Sequence, residues 1–142
     1  MPNGRTHDKI TLIILPLVIL LSFIFLKNFM DICIISIFYL FSSFMFNGDL
    51  DTNSKPYNRW WVFKMIWIPY QLMFNHRSIF THGIIIGTII RLIYIGILPF
   101  LFFYFYKNLN ILTELIPIRY LIISFMGLEL GNTIHTLSDK IF

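Results

Sequence analysis

The sequence contains few charged residues and a single cysteine. Charged residues make up 13% of its 142 residues, whereas apolar residues make up 57% and the mean hydropathy is +0.75. So little polar surface argues against a soluble globule and favours an integral membrane protein. The lone Cys33 cannot form an internal disulfide, so nothing indicates an oxidising compartment. The net charge of +4 is modest and, in a membrane protein, reports orientation rather than nucleic-acid binding.

The features of a cleaved leader and of a repeat protein are also missing. A basic start followed by an apolar run is similar to a secretory signal peptide, but residues 22–27 contain no small-residue cleavage pattern. The chain shows neither an internal repeat nor a low-complexity tract. We therefore interpret the first apolar run as a membrane-spanning helix.

The apolar runs predict an all-α integral membrane fold in one domain, residues 1–142. Four runs are long enough to span a bilayer, at residues 10–26, 29–46, 83–106 and 111–130. A further segment, 60–74, is too short to cross comfortably and is rich in tryptophan and tyrosine, which favour the membrane interface. We expect this segment to form a short interfacial or re-entrant helix. Gly83 and Gly87 open the third span with a small-xxx-small pair that permits close approach of a neighbouring helix.

Four spans place both termini and the loop between the second and third spans on one side of the bilayer. All four histidines then lie on that side. The basic residues on the histidine side are Arg5, Lys9, Lys55, Arg59, Lys64, Arg77 and Lys140, against Lys27 and Lys107 on the other. The positive-inside rule therefore predicts an inner or plasma membrane protein with both termini and the histidines in the cytoplasm.

Three parts of the chain hold all the histidines, and each part also contains aspartate. They are residues 6–8, residues 48–51 together with 76–83, and residues 135–139. His135 and Asp139 are four residues apart, so on a helix they share one face. Asp49 and Asp51 would point the same way from an extended backbone. This joint clustering favours a metal site over the simpler alternative of unrelated polar residues at the interface.

Mixed imidazole and carboxylate ligands suit zinc, with manganese or iron as alternatives. The set exceeds the three or four protein ligands of one zinc ion, which indicates either two ions or one ion with acid–base residues beside it. The predicted ligands are His7, Asp49, Asp51, His76, His82, His135 and Asp139.

Other charged residues are predicted to assist at this site. Arg77 is a candidate anion contact. Arg91, deep in the third span, is either a second anion contact or a structural partner of Glu129 or Asp31. Asp8 is expected to hold a ligand imidazole in one tautomer. Glu129 is either a general base or a charge at a helix end.

Four segments carry a resemblance to a known family. They are the opening MPNGRTHDKIT, the segment FNGDLDTNSKPYNRWWVFKMIWIPYQ, the motif HRSIFTHG with Arg91 downstream, and the ending GLELGNTIHTLSD. In these segments the chain resembles an uncharacterised bacterial family of metal-binding membrane proteins. The resemblance covers about residues 1–11, 46–94 and 127–139. It implies the same seven ligands, and a role for Arg77.

The chain is also distantly similar to the YdjM-like membrane-bound metal-dependent hydrolases. Their pattern includes a T-H pair near the N-terminus, a P-D-x-D pair and an H-R-x-x-T-H-S motif. Here Gly48 replaces the proline and Gly83 replaces the final serine. These departures bear on the hydrolase activity more than on the metal site. The surplus of ligands and the neighbouring arginines lead us to expect a metal-dependent hydrolase at the bilayer surface, with a phosphoester or lipid-like substrate. The alternative is a non-catalytic protein of metal binding, homeostasis or transport.

Overall fold

The computed structural model describes residues 4–105 and 117–141, and all regular secondary structure in these ranges is helical. This confirms the all-α prediction, because no strand occurs in these two ranges. Two 3₁₀ helices, Gly48–Asp51 and Trp61–Trp67, lie in the loop after the second helix. The α-helices are α1 (Gly4–Leu26), α2 (Phe29–Met45), α3 (Lys55–Asn58), α4 (Ile68–Met73), α5 (Ile79–His82), α6 (Ile86–Phe105) and α7 (Ile118–Ile141).

Two stretches are long and apolar enough to cross a membrane, Gly4–Leu26 and Phe29–Asp51. Between them the chain reverses within two residues. Lys27 has a φ of 54°, a left-handed conformation that turns the chain sharply. The Asn28 side chain then accepts a hydrogen bond from the Met30 N–H and caps the start of α2. The two long helices are therefore antiparallel neighbours.

Helix α7 packs so closely against α2 that two positions admit only glycine. A Cβ added at Gly127 would lie 2.7 Å from the Ile35 carbonyl oxygen, and one at Gly131 would lie 2.7 Å from the Ser42 Cβ. Ser42 also donates a hydrogen bond of 2.6 Å to the Leu128 carbonyl oxygen. This approach sets the register of α7, and hence the height of the functional residues it carries.

The close approach predicted at Gly83 and Gly87 is local instead. A Cβ at these glycines would meet the carbonyl oxygens of Ile79 and Thr81, at 2.2 and 2.7 Å. These carbonyls belong to α5, the short helix that immediately precedes the turn. The small residues therefore permit the turn between α5 and α6.

The predicted span boundaries differ from the observed helices at three points. Helix α1 already begins at Gly4, before the predicted start at residue 10. The helix of the third run begins at Ile86, because the chain first forms α5 and a turn in which Ile85 has a φ of 66°. Helix α7 continues to Ile141, beyond the predicted end at residue 130. Residue 106 of the third run and residues 111–116 of the fourth lie outside the described ranges.

The segment predicted to be interfacial has two different faces. Trp67 and Tyr70, which we expected at the membrane interface, are fully buried in an aromatic core with Phe46. The opposite face is apolar but open, with Trp61 at 79% and Leu72 at 84% exposure. The aromatic residues divide in this way because the loop must pack against α2 while its other face has no protein neighbour within the described ranges.

At the far end of the bundle an ion pair joins the start of α2 to the start of α7. The Asp31 side chain is fully buried and accepts a hydrogen bond from the Arg119 guanidinium. Burial of a charge is tolerated only with such a partner. Asp31 is thus paired with Arg119, and the alternative in which Asp31 pairs with Arg91 is wrong.

We expect Gly131→Ala to destabilise the protein by about 1–3 kcal/mol, the usual cost of overpacking, because its Cβ would force α2 and α7 apart. Gly96→Ala is the matched control, since a Cβ there meets no described atom within 4 Å. Thermal unfolding in detergent measures both variants. Equal melting temperatures for the two variants would contradict the close helix contact.

Candidate metal centre

The seven predicted ligands lie in one continuous cluster at the end of the bundle where α1 begins and α7 ends. His7 comes from the first turns of α1, and the two loop aspartates come from the 3₁₀ helix Gly48–Asp51. The remaining members are His76 in the loop before α5, His82 at the end of α5, and His135 and Asp139 on α7. Four distant parts of the chain therefore meet at one site.

The inner group consists of Asp49, His82, His135 and Asp139, whose ligand atoms all lie within 4.8 Å of one another. His82 Nε2 and His135 Nε2 each lie 3.4 Å from a different oxygen of Asp49. His135 Nε2 lies 3.5 Å from Asp139 Oδ2. Two ligands at about 2.1 Å from a tetrahedral ion are about 3.4 Å apart, so these separations fit a zinc-sized cation.

Several polar atoms of the inner group are buried without hydrogen-bond partners. They are both ring nitrogens of His135 and Oδ2 of Asp139, judged against the residues that the structure describes. The His135 side chain is only 2% exposed. An unsatisfied buried polar group costs about 1–3 kcal/mol. A cation among these atoms would remove that cost for His135 Nε2 and Asp139, so the residues present fit a bound metal.

His7 extends the inner group from the side of α1. Its Nε2 lies 3.2 Å from Asp139 Oδ1, and its Nδ1 lies 2.6 Å from Ser138 Oγ. The Ser138 hydroxyl donates its proton to the His135 carbonyl oxygen at 2.7 Å, so its oxygen accepts from His7 Nδ1. His7 Nε2 can then keep the lone pair that a metal ligand needs.

The role predicted for Asp8 therefore belongs to Ser138, which the sequence reasoning missed. Asp8 instead accepts hydrogen bonds from Lys55 and from Arg59, the latter at 2.8 Å, and ties α1 to the loop after α2. Burial would raise the pKa of the Asp8 carboxyl, but these two cations lower it below its ordinary value. The one signal for Ser138 in the sequence was its place between His135 and Asp139 on a helix.

The outer group consists of Asp51, His76 and His82. The Asp51 side chain is fully buried, and its Oδ1 lies 2.8 Å from His76 Nδ1. Asp51 Oδ2 accepts from the Arg77 backbone N–H at 3.2 Å and lies 3.5 Å from His82 Nδ1. His82 is thus shared by the two groups.

Both inner-group carboxylates remain ionised at neutral pH. Burial raises the pKa of Asp49, but His135 and His82 beside it outweigh burial and hold the pKa well below its ordinary range. Burial likewise raises the pKa of Asp139, and the neighbouring His7 and His135 bring it below the ordinary value. The group therefore offers negative charge to a cation.

Position 48 has no room for a side chain, because the His82 ring lies directly against the Gly48 backbone. A Cβ at this position would lie 2.8 Å from His82 Cδ2 and 3.0 Å from His82 Nε2. The loop that carries Gly48 is held by Gln71, whose amide donates to the carbonyl oxygens of Leu50 and Thr52, both at 3.0 Å. The aspartates are thus fixed against the histidine by backbone contacts.

Arg91 positions the residue before His82 rather than contacting the site. It is fully buried, and its Nη1 donates a hydrogen bond of 2.6 Å to the Thr81 carbonyl oxygen. Its Nη2 donates to Asn132 Oδ1 at 2.8 Å. Arg91 therefore links α5 to α7, and neither Glu129 nor Asp31 is its hydrogen-bond partner.

Glu129 joins neither group. Its Oε1 accepts from the Ile85 N–H at 2.9 Å and from the Thr133 hydroxyl at 3.2 Å. Ile85 is β-branched and has a φ of 66°, which is a strained conformation. Glu129 thus stabilises the turn between α5 and α6, in agreement with a structural charge rather than a general base.

An open groove of about 440 Å³ lies beside the inner group, and His82 and Asp139 contribute to its wall. Arg77 and Lys140 also line the groove, so positive charge flanks the candidate ligands. Arg77 was predicted as an anion contact, whereas Lys140 was not. The apolar side of the groove comprises Ile79 and Ile84.

Comparison with known proteins agrees with this chemistry. A protein family described as "Uncharacterized metal-binding protein (DUF2227)" matches residues 2–142. An uncharacterized protein of Aquifex aeolicus (strain VF5) is 41% identical over 58 residues, which are 40% of this chain and 40% of that relative. The chain thus matches less than half of that curated relative's length. No solved structure matches the chain significantly.

We expect Gly48→Ala to weaken zinc binding by about 10- to 100-fold, because the new Cβ displaces the His82 ring from Asp49. Competition with a chromophoric chelator measures the affinity. Gly96→Ala serves as the control for an added methyl group, and it should bind zinc like the wild type. An unchanged affinity in Gly48→Ala would show that His82 is not a ligand.

Proposed function

Because this chain belongs to the DUF2227 family of uncharacterized metal-binding proteins, as its motifs predicted, we propose that it is a membrane-embedded metal-dependent hydrolase. The observation that carries the proposal is the adjacency of two features. Buried, unpartnered ligand atoms of His135 and Asp139 lie next to a groove flanked by Arg77 and Lys140. The first feature supports a bound cation, and the second supports an anionic substrate.

Zinc is the metal that this site favours. Two imidazoles and two carboxylates in the inner group, separated by about 3.4 Å, suit a tetrahedral ion with nitrogen and oxygen ligands. Manganese and iron accept the same ligand types and remain the alternatives. The seven predicted ligands leave room for one ion or two.

The hydrolytic reaction would use the groove as the substrate site. A divalent ion, when bound, supplies Lewis-acid chemistry and makes water a nucleophile near neutral pH. Arg77 would bind a phosphate oxygen through its guanidinium, and Lys140 would add a second positive charge. His82 and Asp139 belong both to the groove wall and to the inner group, so a bound phosphoester would lie against the candidate ligands.

The apolar surface supports a membrane location. Ile13 and Phe25 on α1 are 76% and 77% exposed, and many other large apolar side chains are exposed with them. An apolar surface of this width is unfavourable in water. We propose four spans near residues 10–26, 29–46, 83–106 and 111–130, with segment 60–74 in the interface. The termini and the site would then face the cytoplasm. A site at this depth would reach a lipid-like phosphoester at the bilayer surface.

The second candidate is a non-catalytic metal-binding or metal-homeostasis protein. The burial of His135 favours it, because a side chain with 2% exposure holds an ion away from solvent as readily as it serves a reaction. The basic groove favours hydrolysis over this alternative, since simple metal storage needs no anion contact. Turnover by the metal-loaded protein separates the two functions.

Zinc- or manganese-loaded protein should hydrolyse a chromogenic phosphodiester or a phospholipid in mixed micelles. We expect His82→Ala to lose both the metal and the activity, and Arg77→Gln to raise KM by about tenfold while metal content stays unchanged. Arg5→Gln is the matched control, because Arg5 is an exposed arginine that does not line the groove. Retained metal with no turnover across a broad ester panel would favour the non-catalytic function.

The proposed topology predicts the sidedness of two loops. In spheroplasts that express a Cys33→Ser chain, an impermeant maleimide should label Lys27→Cys directly. It should label Asn53→Cys only after the membrane is permeabilised, since that loop would be cytoplasmic. The reverse pattern would invert the orientation, and direct labelling at both positions would contradict a crossing by the second helix.

A further inference from the structure

His82 lies between the inner and outer groups, and each of its ring nitrogens faces a different one. Nε2 is 3.4 Å from Asp49 Oδ1, whereas Nδ1 is 3.5 Å from Asp51 Oδ2. A neutral imidazole has one nitrogen with a free lone pair and one that carries a proton. His82 can therefore serve as a ligand on one side only, and the position of its proton decides which side.

The groups around His82 place that proton on Nδ1. Thr81 Oγ1 lies 3.0 Å from Nδ1, and the Thr81 hydroxyl donates to the Ser78 carbonyl oxygen at 3.2 Å. The Thr81 oxygen is thus left to accept a hydrogen bond from Nδ1. On the same side, Oδ2 of Asp51 already accepts from the Arg77 N–H, so this oxygen is also an acceptor. Nε2 consequently keeps the lone pair and directs it at Asp49.

Asp51 differs from the inner-group carboxylates because hydrogen-bond donors already occupy it. Its Oδ1 lies 2.8 Å from His76 Nδ1, and its Oδ2 accepts from the Arg77 N–H at 3.2 Å. A separation of 2.8 Å is a direct hydrogen bond. Two ligands of one ion lie about 3.4 Å apart, which is the separation found in the inner group. The outer group is therefore closed by hydrogen bonds.

We propose that the site holds a single ion, bound by the inner group with His7 beside it, and that Asp51 is a positioning residue for His82. His76 then becomes the solvent-facing partner of Asp51, with 35% of its side chain exposed, rather than a ligand of a second ion. This inference rests on the proposed metal function and narrows its ligand set. Asp51 faces the distal nitrogen of His82 at 3.5 Å, beside the Thr81 hydroxyl that contacts this nitrogen at 3.0 Å. Acceptors at the distal nitrogen of a ligand histidine fix the ring and its tautomer.

Metal stoichiometry tests the inference. The full chain is purified in detergent, loaded with zinc, desalted and subjected to elemental analysis. We expect one ion per chain in the wild type, in Asp51→Asn and in His76→Ala. Zinc affinity should fall about 10- to 100-fold in Asp51→Asn, because His82 loses its orienting carboxylate. Asp49→Asn makes the same change on the ligand side and should lose the ion.

Asp8→Asn is the control for loss of a nearby carboxylate, since Asp8 contacts Lys55 and Arg59 rather than a ring nitrogen of a predicted ligand. It should keep one ion at wild-type affinity. The tautomer is read separately from ¹⁵N shifts of labelled histidines in the zinc-loaded protein, with the His82 signal assigned by its loss in His82→Ala. We expect a proton on Nδ1 and coordination at Nε2.

The possible outcomes distinguish this inference from the function on which it rests. Two ions per chain, with one lost in Asp51→Asn, would overturn the single-ion site and leave metal binding intact. A proton on Nε2 of His82 would overturn the assigned orientation. A wild-type chain that binds no ion would overturn the proposed function, and the single-ion inference with it.

Discussion

The burial of His135 and Asp139 without hydrogen-bond partners is the constraint on which this end of the molecule depends. Among the described residues, neither ring nitrogen of His135 has a hydrogen-bond partner, and neither does Oδ2 of Asp139. Such atoms are costly unless a cation compensates them. The neighbouring elements add further candidate ligands around these atoms. Helix α1 carries His7, the 3₁₀ helix Gly48–Asp51 carries Asp49, and α5 carries His82.

Contacts remote from the ligands determine where the ligands lie. Gly127 and Gly131 let α7 approach α2 closely, which fixes the position of the ligands one turn and more further along α7. Arg91 joins the Thr81 carbonyl to Asn132 and so sets α5 against the same helix. Glu129 supports the strained Ile85 in the turn that follows α5. Both Arg91 contacts are buried, so they resist displacement more than a surface contact would.

The sequence predicted the helical class and the convergence of the histidine segments, because composition and clustering are properties of residue type alone. It could not predict how the charged residues pair. Asp31 was considered for Arg91, yet the ends of α2 and α7 bring it to Arg119. Nor could it distinguish Asp8 from Ser138 as the partner of His7, because that choice depends on how α1 faces α7. Trp67 and Tyr70 were misassigned for the same reason, since an aromatic residue suits a core and an interface equally well.

The contact between His7 and Ser138 joins residues 131 positions apart in the chain. This contact gains little from local folding, because the entropy of closing the longest loop must be overcome before it forms. During synthesis, α1 would be complete long before α7 leaves the ribosome. Until α7 packs against the rest, the inner group would lack His135 and Asp139. Capture of an ion by the inner group would then belong to the last stage of assembly.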